Sequence, residues 1–234
     1  MAAAIYDPPP SWKYLLKGRT PEQKVVIKYF KKPVGAFSIN IPDKKFDALV
    51  YNKIESMNFR QRALDKLDLD ESQINEIEPV HFDNYYGLGL DLQRDKDKER
   101  YIPKHIWLKE GMDGKWRTNV YQVSWLFFSD KQVYAYQYTL SLNDDSKNER
   151  TEEYFYRDIT NFSTISKNAE SETWIQEKGC LGIGKKFTPI RINTETDRFA
   201  LIVPGDEFYC EIRKNDYSEG SIRAMKHKLR EKKG

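Results

Sequence analysis

Apolar residues in the first eighty positions recur at the three-to-four-residue spacing of amphipathic helices. The stretch "TPEQ" predicts a helix start, because Thr20 can cap, Pro21 suits the first helical position and Gln23 completes a capping box. This helix is expected to stop at Pro33. A second helix is predicted from Pro42–Asp43, and its apolar stripe consists of Phe46, Leu49, Val50, Ile54 and Met57.

Two shorter helices are predicted to follow. Asn58 and Asp70 are residues of the type that caps helix N-termini. Apolar residues at helical spacing come after each cap: Phe59, Ala63, Leu64 and Leu67 after the first, and Ile74 and Ile77 after the second. Pro79 is expected to end the last of these helices.

From about residue 81 the apolar residues alternate with polar ones, which is the period of a β-strand. Strands are predicted over seven ranges: 102–109, 116–128, 131–142, 150–157, 159–166, 185–194 and 197–203. The short stretches "SDK" and "ETD" are predicted to be hairpin turns. A C-terminal amphipathic helix is predicted from Ser221 as its cap, with one face formed by Ile222, Met225 and Leu229.

The segment "ERTEEYFYRDITNFS" is rich in aromatic residues although it is also strongly charged. Alternation places Glu153, Phe155 and Arg157 on one face, and it places Tyr154 and Tyr156 on the other. We interpret the segment as a strand packed within a sheet, since Tyr and Phe are favourable strand residues. A ligand-binding aromatic platform is the alternative.

Composition and charge describe a soluble protein that forms a core. The total of 39 Lys and Arg residues is nearly matched by 36 Asp and Glu residues, and the net charge of +3 makes nucleic acid an unlikely partner. No stretch has the length and apolarity of a membrane span, and the N-terminus lacks the features of a signal peptide. Cys180 and Cys210 are interpreted as free thiols of a cytoplasmic protein.

The order of the predicted strands, followed by one terminal helix, resembles a pleckstrin-homology-like (PH-like) barrel. The stretches "LFFSDKQVYAYQY" and "YFYRDITNFSTI" resemble the bacterial PH and GRAM-type version. More closely, "RQRALDKLDLDESQINEIEPV", "WLFFSDKQVYAY" and "FALIVPGDEFYCEI" resemble a family of uncharacterised bacterial cytosolic proteins. The resemblance implies an α+β fold. A helical region, 1–80, would pack on an antiparallel barrel or sandwich, 81–234, whose C-terminal helix closes one open corner.

A candidate anion site lies in the stretch "KEGMDGKWR". Lys109, Lys115 and Arg117 match the K-x(n)-K-x-R pattern with which PH domains that bind phosphoinositides direct cations into an open cup. Phosphates require several convergent donors, and Arg can bind them in a bidentate manner. A solvated hairpin is the alternative, because Glu110 and Asp113 lie in the same loop.

Catalytic chemistry finds little support in the sequence. Gly179, Gly184 and Lys185 have the spacing of a phosphate-binding loop, but Lys186 occupies the position that requires Ser or Thr. The three histidines lie far apart and show no metal-binding spacing: His81, His105 and His227. We therefore predict no catalytic residues, no metal site and no cofactor.

Three classes of function follow. A non-enzymatic binding or scaffold module with a protein partner is the leading hypothesis. An enzyme with a site between the helical region and the barrel is the second, and a module for anionic lipid or phosphate is the third. Basic residues of the first and last helices also support the third hypothesis, although a solvated polar helix face is the alternative interpretation. These residues are Lys24, Lys28, Lys31, Lys32, Arg223, Lys226, Lys228, Arg230, Lys232 and Lys233. The sequence does not indicate an oligomeric state.

Overall fold

The computed structural model describes residues 15–30, 41–74, 76–87, 106–178 and 185–233, with the side chains of all of these except 167–195. Its helices are α1 (Pro21–Phe30), α2 (Asp43–Ser56), α3 (Phe59–Leu67) and α4 (Asp216–Lys233), and a 3₁₀ turn spans Glu71–Gln73. Its strands are β1 (Val80–Tyr85), β2 (Leu108–Glu110), β3 (Trp116–Thr118), β4 (Val120–Phe128), β5 (Gln132–Ser141), β6 (Lys147–Phe155), β7 (Asn161–Lys178), β8 (Lys185–Val203) and β9 (Asp206–Ile212).

The first three predicted helices are confirmed where the structure describes them. In the α1 capping box, the Thr20 main-chain N–H donates to Gln23, and the Gln23 N–H donates to the Thr20 hydroxyl. The fourth predicted helix is wrong, because only the 3₁₀ turn follows Asp70. Ile74 packs in the hydrophobic core that contains α1, α2 and α3, whereas Ile77 packs against the core that contains β8, β9 and α4, and one helical face cannot reach both.

The strands form antiparallel sheets, and the described fold is α+β with a C-terminal helix. A four-stranded sheet has the order β1-β4-β5-β6, a three-stranded sheet has the order β7-β8-β9, and β2 and β3 form a separate hairpin. The ladders of the described residues do not join these sheets into a closed barrel. The first strand of the larger sheet, β1, was not predicted. The predicted strand 102–109 lies largely outside the described residues, and 116–128 is divided at Asn119.

The second half of the chain departs from the prediction at three places. The predicted "ETD" turn is wrong, because β8 runs straight through it and pairs with β7 along its length. The turn comes later, at Gly205, whose positive φ of 85° suits a tight hairpin into the unpredicted β9. Helix α4 begins before Ser221, because Asn215 accepts a hydrogen bond from the Ser218 N–H at 2.9 Å.

The four-stranded sheet is covered on both faces. On one face, side chains such as Tyr121, Val123 and Tyr138 pack with α1, α2 and α3 in a first hydrophobic core. On the other face, side chains such as Leu126 and Val133 pack with β8, β9 and α4 in a second core. The helical segment and the second half of the chain are therefore packed on opposite faces of the same sheet.

Amide side chains connect the two larger sheets. The Asn84 amide donates to the Ile212 carbonyl at 3.0 Å, and the Gln137 amide donates to the Tyr209 carbonyl at 2.7 Å. The Glu211 N–H donates to the Gln122 side chain at 3.1 Å. Strand β9 is thus attached to the larger sheet by side chains from β1, β4 and β5 rather than by a main-chain ladder.

Candidate functional site

The predicted anion-binding residue Arg117 lies on β3, and its side chain is only 3% exposed. Its guanidinium forms two hydrogen bonds with Asp47, each 2.7 Å long, and two with Asp113, each 2.9 Å long. A further hydrogen bond of 3.0 Å reaches the Lys115 carbonyl. A guanidinium has five N–H groups, and all of them are used within the chain.

The other two predicted residues have different surroundings. Lys109 is the register partner of Arg117 across the β2–β3 hairpin, and its ammonium lies 3.5 Å from the centre of the Tyr29 ring. Lys115 is exposed next to the start of β3. The structure therefore brings Lys109 and Arg117 together, but it directs them at an aromatic ring and at carboxylates.

The carboxylates around Arg117 are themselves fixed. Hydrogen bonding to Arg117 holds the pKa of Asp113 well below its ordinary value. Asp43 accepts hydrogen bonds from the Tyr29 hydroxyl at 2.7 Å and from the Met112 N–H at 2.7 Å. Burial alone would raise the pKa of Asp43, but these hydrogen bonds lower it overall.

Gly111 shows how closely this network is packed. An added Cβ there would collide with the guanidinium of Arg117 and with the carboxylates of Asp113 and Asp43. The arrangement attaches the β2–β3 hairpin to α2, which is a structural role. Anion binding by Lys109, Lys115 and Arg117 stays a prediction, and Arg117 in this arrangement has no N–H group left for it.

A second candidate site is the outer edge of β6. The Tyr156 N–H donates to the Lys131 carbonyl, and the Ser141 N–H donates to the Ser146 carbonyl. Even-numbered residues of this segment therefore turn their main-chain groups toward β5, and odd-numbered residues turn theirs away. The outward main-chain N–H and C=O groups are therefore those of Lys147, Glu149, Thr151 and Glu153. Within the described residues no strand pairs with this side of β6.

The side chains of β6 show that this edge is accessible. Lys147, Thr151 and Glu153 are exposed, and Phe155 is 45% exposed. Tyr154 and Tyr156 are buried in the second core, which confirms the predicted alternation of this segment. The unpaired edge was not predicted from the sequence. The dense charge of "KNERTEEYF" was the available signal, because charged side chains are typical of edge strands.

Two ion pairs hold β6 between its neighbours. On the helix side, Arg62 of α3 binds both oxygens of Glu149 at 2.7 Å. On the other side, Arg150 lies 3.5 Å from Asp206 at the start of β9, and it also binds Glu152 of its own strand at 2.7 Å. The strand is therefore fixed by side chains on both of its faces as well as by the β5 ladder.

A cleft of about 370 Å³ opens beside one end of β6, between the 3₁₀ turn and the β4–β5 turn. Two of its residues are the register partners of β6 residues, since Gln132 pairs with Phe155 and Tyr134 with Glu153. Its lining is mostly polar and consists of Ser72, Gln73, Ser129, Asp130, Lys131, Gln132 and Tyr134. The Gln132 amide donates to the Glu153 carboxylate at 3.1 Å, so the cleft adjoins the exposed end of β6.

Histidines and cysteines have structural or undefined positions. His81 stacks on Trp125 with ring centres 5.0 Å apart, and its Nδ1 lies 3.2 Å from the Tyr217 hydroxyl. His227 is exposed on α4, and His105 lies outside the described residues. Burial raises the pKa of the Cys210 thiol to about 12. Cys180 and the predicted glycine-rich stretch 179–184 also lie outside the described residues.

The basic residues of α4 fall into two groups. Lys228 and Lys232 form ion pairs with Glu76. The remaining cations are exposed or partly exposed: Arg223, Lys226, Arg230 and Lys233. On α1, Lys28 is exposed and Lys24 is half-buried, whereas Lys31 and Lys32 lie outside the described residues.

The described ranges contain neither a metal-binding cluster nor a membrane-spanning helix. No three His, Cys, Asp or Glu side chains there are arranged to hold a metal ion. None of the helices described above is both long and apolar enough to cross a membrane. Comparison of the chain with models of protein families, with curated proteins and with solved structures found no match.

Proposed function

We propose that the protein is a non-enzymatic binding or scaffold module that recognises a protein partner through the outer edge of β6. The observation that carries the proposal is the series of outward main-chain groups on Lys147, Glu149, Thr151 and Glu153, with which no described strand pairs. An extended segment of another protein can add to such an edge as one more strand. Its main-chain hydrogen bonds supply affinity, and side chains along the edge supply specificity.

The surroundings of the edge support recognition by strand addition. The half-exposed ring of Phe155 offers apolar surface at one end, beside the cleft that contains Gln132 and Tyr134. Strand β6 is fixed by the β5 ladder, by the Arg62–Glu149 ion pair on one face and by the Arg150–Asp206 contact on the other. A fixed edge binds more tightly than a mobile one, because less conformational entropy is lost on binding.

We also propose a PH-like arrangement for this module, in a bacterial cytosol. Its support is the succession of a four-stranded antiparallel sheet, a three-stranded antiparallel sheet and a C-terminal helix. Ile222, Met225 and Leu229 of this helix pack into the core that both larger sheets line. The β2–β3 hairpin is an insertion between the first two strands of the larger sheet.

The N–H group of Thr151 provides the test. Proline is tolerated on an edge strand where its missing N–H would face solvent, so Thr151→Pro should retain the fold and remove one outward donor. Thr151→Ala retains the N–H and is the matched control. Random peptides displayed on phage would be selected on the wild type and then measured on both variants.

We expect selected peptides to bind the wild type and Thr151→Ala alike, and to bind Thr151→Pro at least about tenfold more weakly, because the loss of a hydrogen bond adds to a steric clash. Circular dichroism and thermal unfolding would establish that all three proteins are folded. Peptides that bind Thr151→Pro as well as they bind the wild type would contradict the proposal, as would failure to select any peptide on protein dilute enough to be monomeric.

A further inference from the structure

We propose that the strand which pairs with this edge is β6 of a second copy of the chain, so that the protein forms a two-fold symmetric dimer. The inference rests on the proposed function, because it names the partner of the same edge. In the dimer the two β6 strands run antiparallel, and the two-fold axis passes between the two copies of Arg150. Two four-stranded sheets would then form one continuous sheet of eight strands.

The register follows from the direction of the main-chain groups. Odd-numbered residues of β6 face outward, so hydrogen-bonded pairs between the copies must join odd residues to odd residues. Centring the pairing on Arg150 places Lys147 opposite Glu153 and Glu149 opposite Thr151, and symmetry repeats each pair. These pairs provide about eight main-chain hydrogen bonds between the copies.

Charge complementarity favours this register over the one centred on Thr151. Lys147 and Glu153 are both exposed, lie on the same face of the strand and have opposite charges. The symmetric dimer therefore contains the favourable cross-strand pair twice. A register centred on Thr151 would instead place Glu149 opposite Glu153 twice, and like charges directly opposite each other are destabilising.

Arg150 is the one residue that meets its own copy in this register. Within each copy, Arg150 forms an ion pair with Glu152 at 2.7 Å, and its guanidinium lies 3.5 Å from a carboxylate oxygen of Asp206. Glu152 of the second copy lies diagonally across from Arg150, within reach of a long side chain. The two guanidinium groups are thus each accompanied by carboxylates rather than facing each other uncompensated.

Charge reversal tests both the partner and the register. Sedimentation velocity over a wide range of protein concentration would measure association of the wild type, Lys147→Glu and Glu153→Lys. Each reversal alone converts two attractive pairs into two repulsive ones, so we expect dimerisation to weaken about tenfold or more. Lys45→Glu, a reversal at an exposed position of α2, is the matched control and should dimerise as the wild type does.

The two single variants should bind each other when they are mixed. In the proposed register, position 147 of each copy lies opposite position 153 of the other. A mixed dimer of Lys147→Glu with Glu153→Lys would therefore again join opposite charges in both cross-strand pairs. We expect a fluorescently labelled Lys147→Glu protein to associate with Glu153→Lys about as strongly as the wild type associates with itself. The double variant that carries both reversals should also regain dimerisation.

Two outcomes would overturn the inference. One is a wild type that stays monomeric at every concentration, and the other is a dimer that is insensitive to both reversals. Either result can be distinguished from failure of the proposed function, because selected peptides that bind the wild type but not Thr151→Pro would still show that β6 accepts a strand. Loss of both peptide binding and dimerisation would overturn the two proposals together.

Discussion

Arg117 and Asp47 form a bidentate ion pair that ties the β2–β3 hairpin to α2, with both nitrogen–oxygen distances at 2.7 Å. The same Asp47 carboxylate accepts a hydrogen bond from the Tyr85 hydroxyl at 2.9 Å, so it also joins the hairpin to β1. A buried guanidinium with all its donors used stabilises one arrangement of these elements. This relationship explains why a cation in a phosphate-binding pattern serves the fold.

The first prediction concerns Arg117→Lys. A buried ammonium has three donors and cannot reproduce the planar fork, so the Asp47 and Asp113 carboxylates would lose hydrogen bonds. We expect the free energy of unfolding to fall by roughly 2–4 kcal/mol. Urea unfolding would measure the change. Lys115→Met, at an exposed neighbouring position, should change stability by less than about 0.5 kcal/mol, and equal effects of the two changes would refute the structural role.

The second prediction compares two glycines. Gly111→Ala should destabilise the protein by roughly 1–3 kcal/mol, because its Cβ would displace Arg117 or its carboxylates. Gly220→Ala lies in α4, where a Cβ meets no atom within 4 Å, and it should stabilise the helix by up to about 1 kcal/mol. Thermal unfolding of both variants would show shifts of opposite sign. A neutral Gly111→Ala would mean that the hairpin does not pack on Arg117 in this way.

The third prediction is a pH dependence that involves Glu149. Hydrogen bonds from Arg62 lower the pKa of Glu149 in the folded protein. A lowered carboxyl pKa contributes stability that is present above the ordinary value of about 4.3 and is lost as the pH falls through the folded value. Glu149→Gln should therefore cost roughly 1–3 kcal/mol at pH 7 and progressively less below about pH 4. Urea unfolding across this range would measure the difference, and Glu55→Gln is the exposed control.

The fourth prediction concerns the reactivity of Cys210. Its thiol is buried and its pKa is raised to about 12, so the reactive thiolate is scarce at neutral pH. In a Cys180→Ser background, a thiol reagent should label the native protein only as fast as it unfolds. Adding urea should expose the thiol to rapid labelling. Rapid labelling of the native protein without denaturant would contradict the burial of β9.

The sequence predicted elements well where a single period decides the structure. The apolar stripe of α2 buries one face, and β5 contributes alternate side chains to the two cores, so the bounds of both elements follow closely from the pattern. The predicted break at 195–197 was wrong because polar residues there suggested a turn. In the structure Asp197 continues β8 as the register partner of Ser166 and of Ile212, and pairing on both sides overrides the local preference.

The candidate site could be predicted only in part. The alternation of Tyr154, Phe155 and Tyr156 gives the buried and exposed faces of β6, since it depends on the strand period alone. Which edge of β6 is unpaired depends on the order of strands in the sheet, and that order is a long-range property. In the same way, the carboxylate of Asp47 is seventy positions from Arg117 in sequence, so no local motif could show that it uses the guanidinium.

Amide hydrogen exchange along β6 tests the central claim most directly. NMR would follow the outward amides of Lys147, Glu149, Thr151 and Glu153, with the inward amide of Arg150 as an internal reference. In dilute monomeric protein the outward amides should exchange much faster than the amide of Arg150, because only the inward groups pair with β5. In the dimer, or with a selected peptide bound, we predict that the outward amides become protected as well. Outward amides that exchange equally fast in the free and associated states would contradict the account.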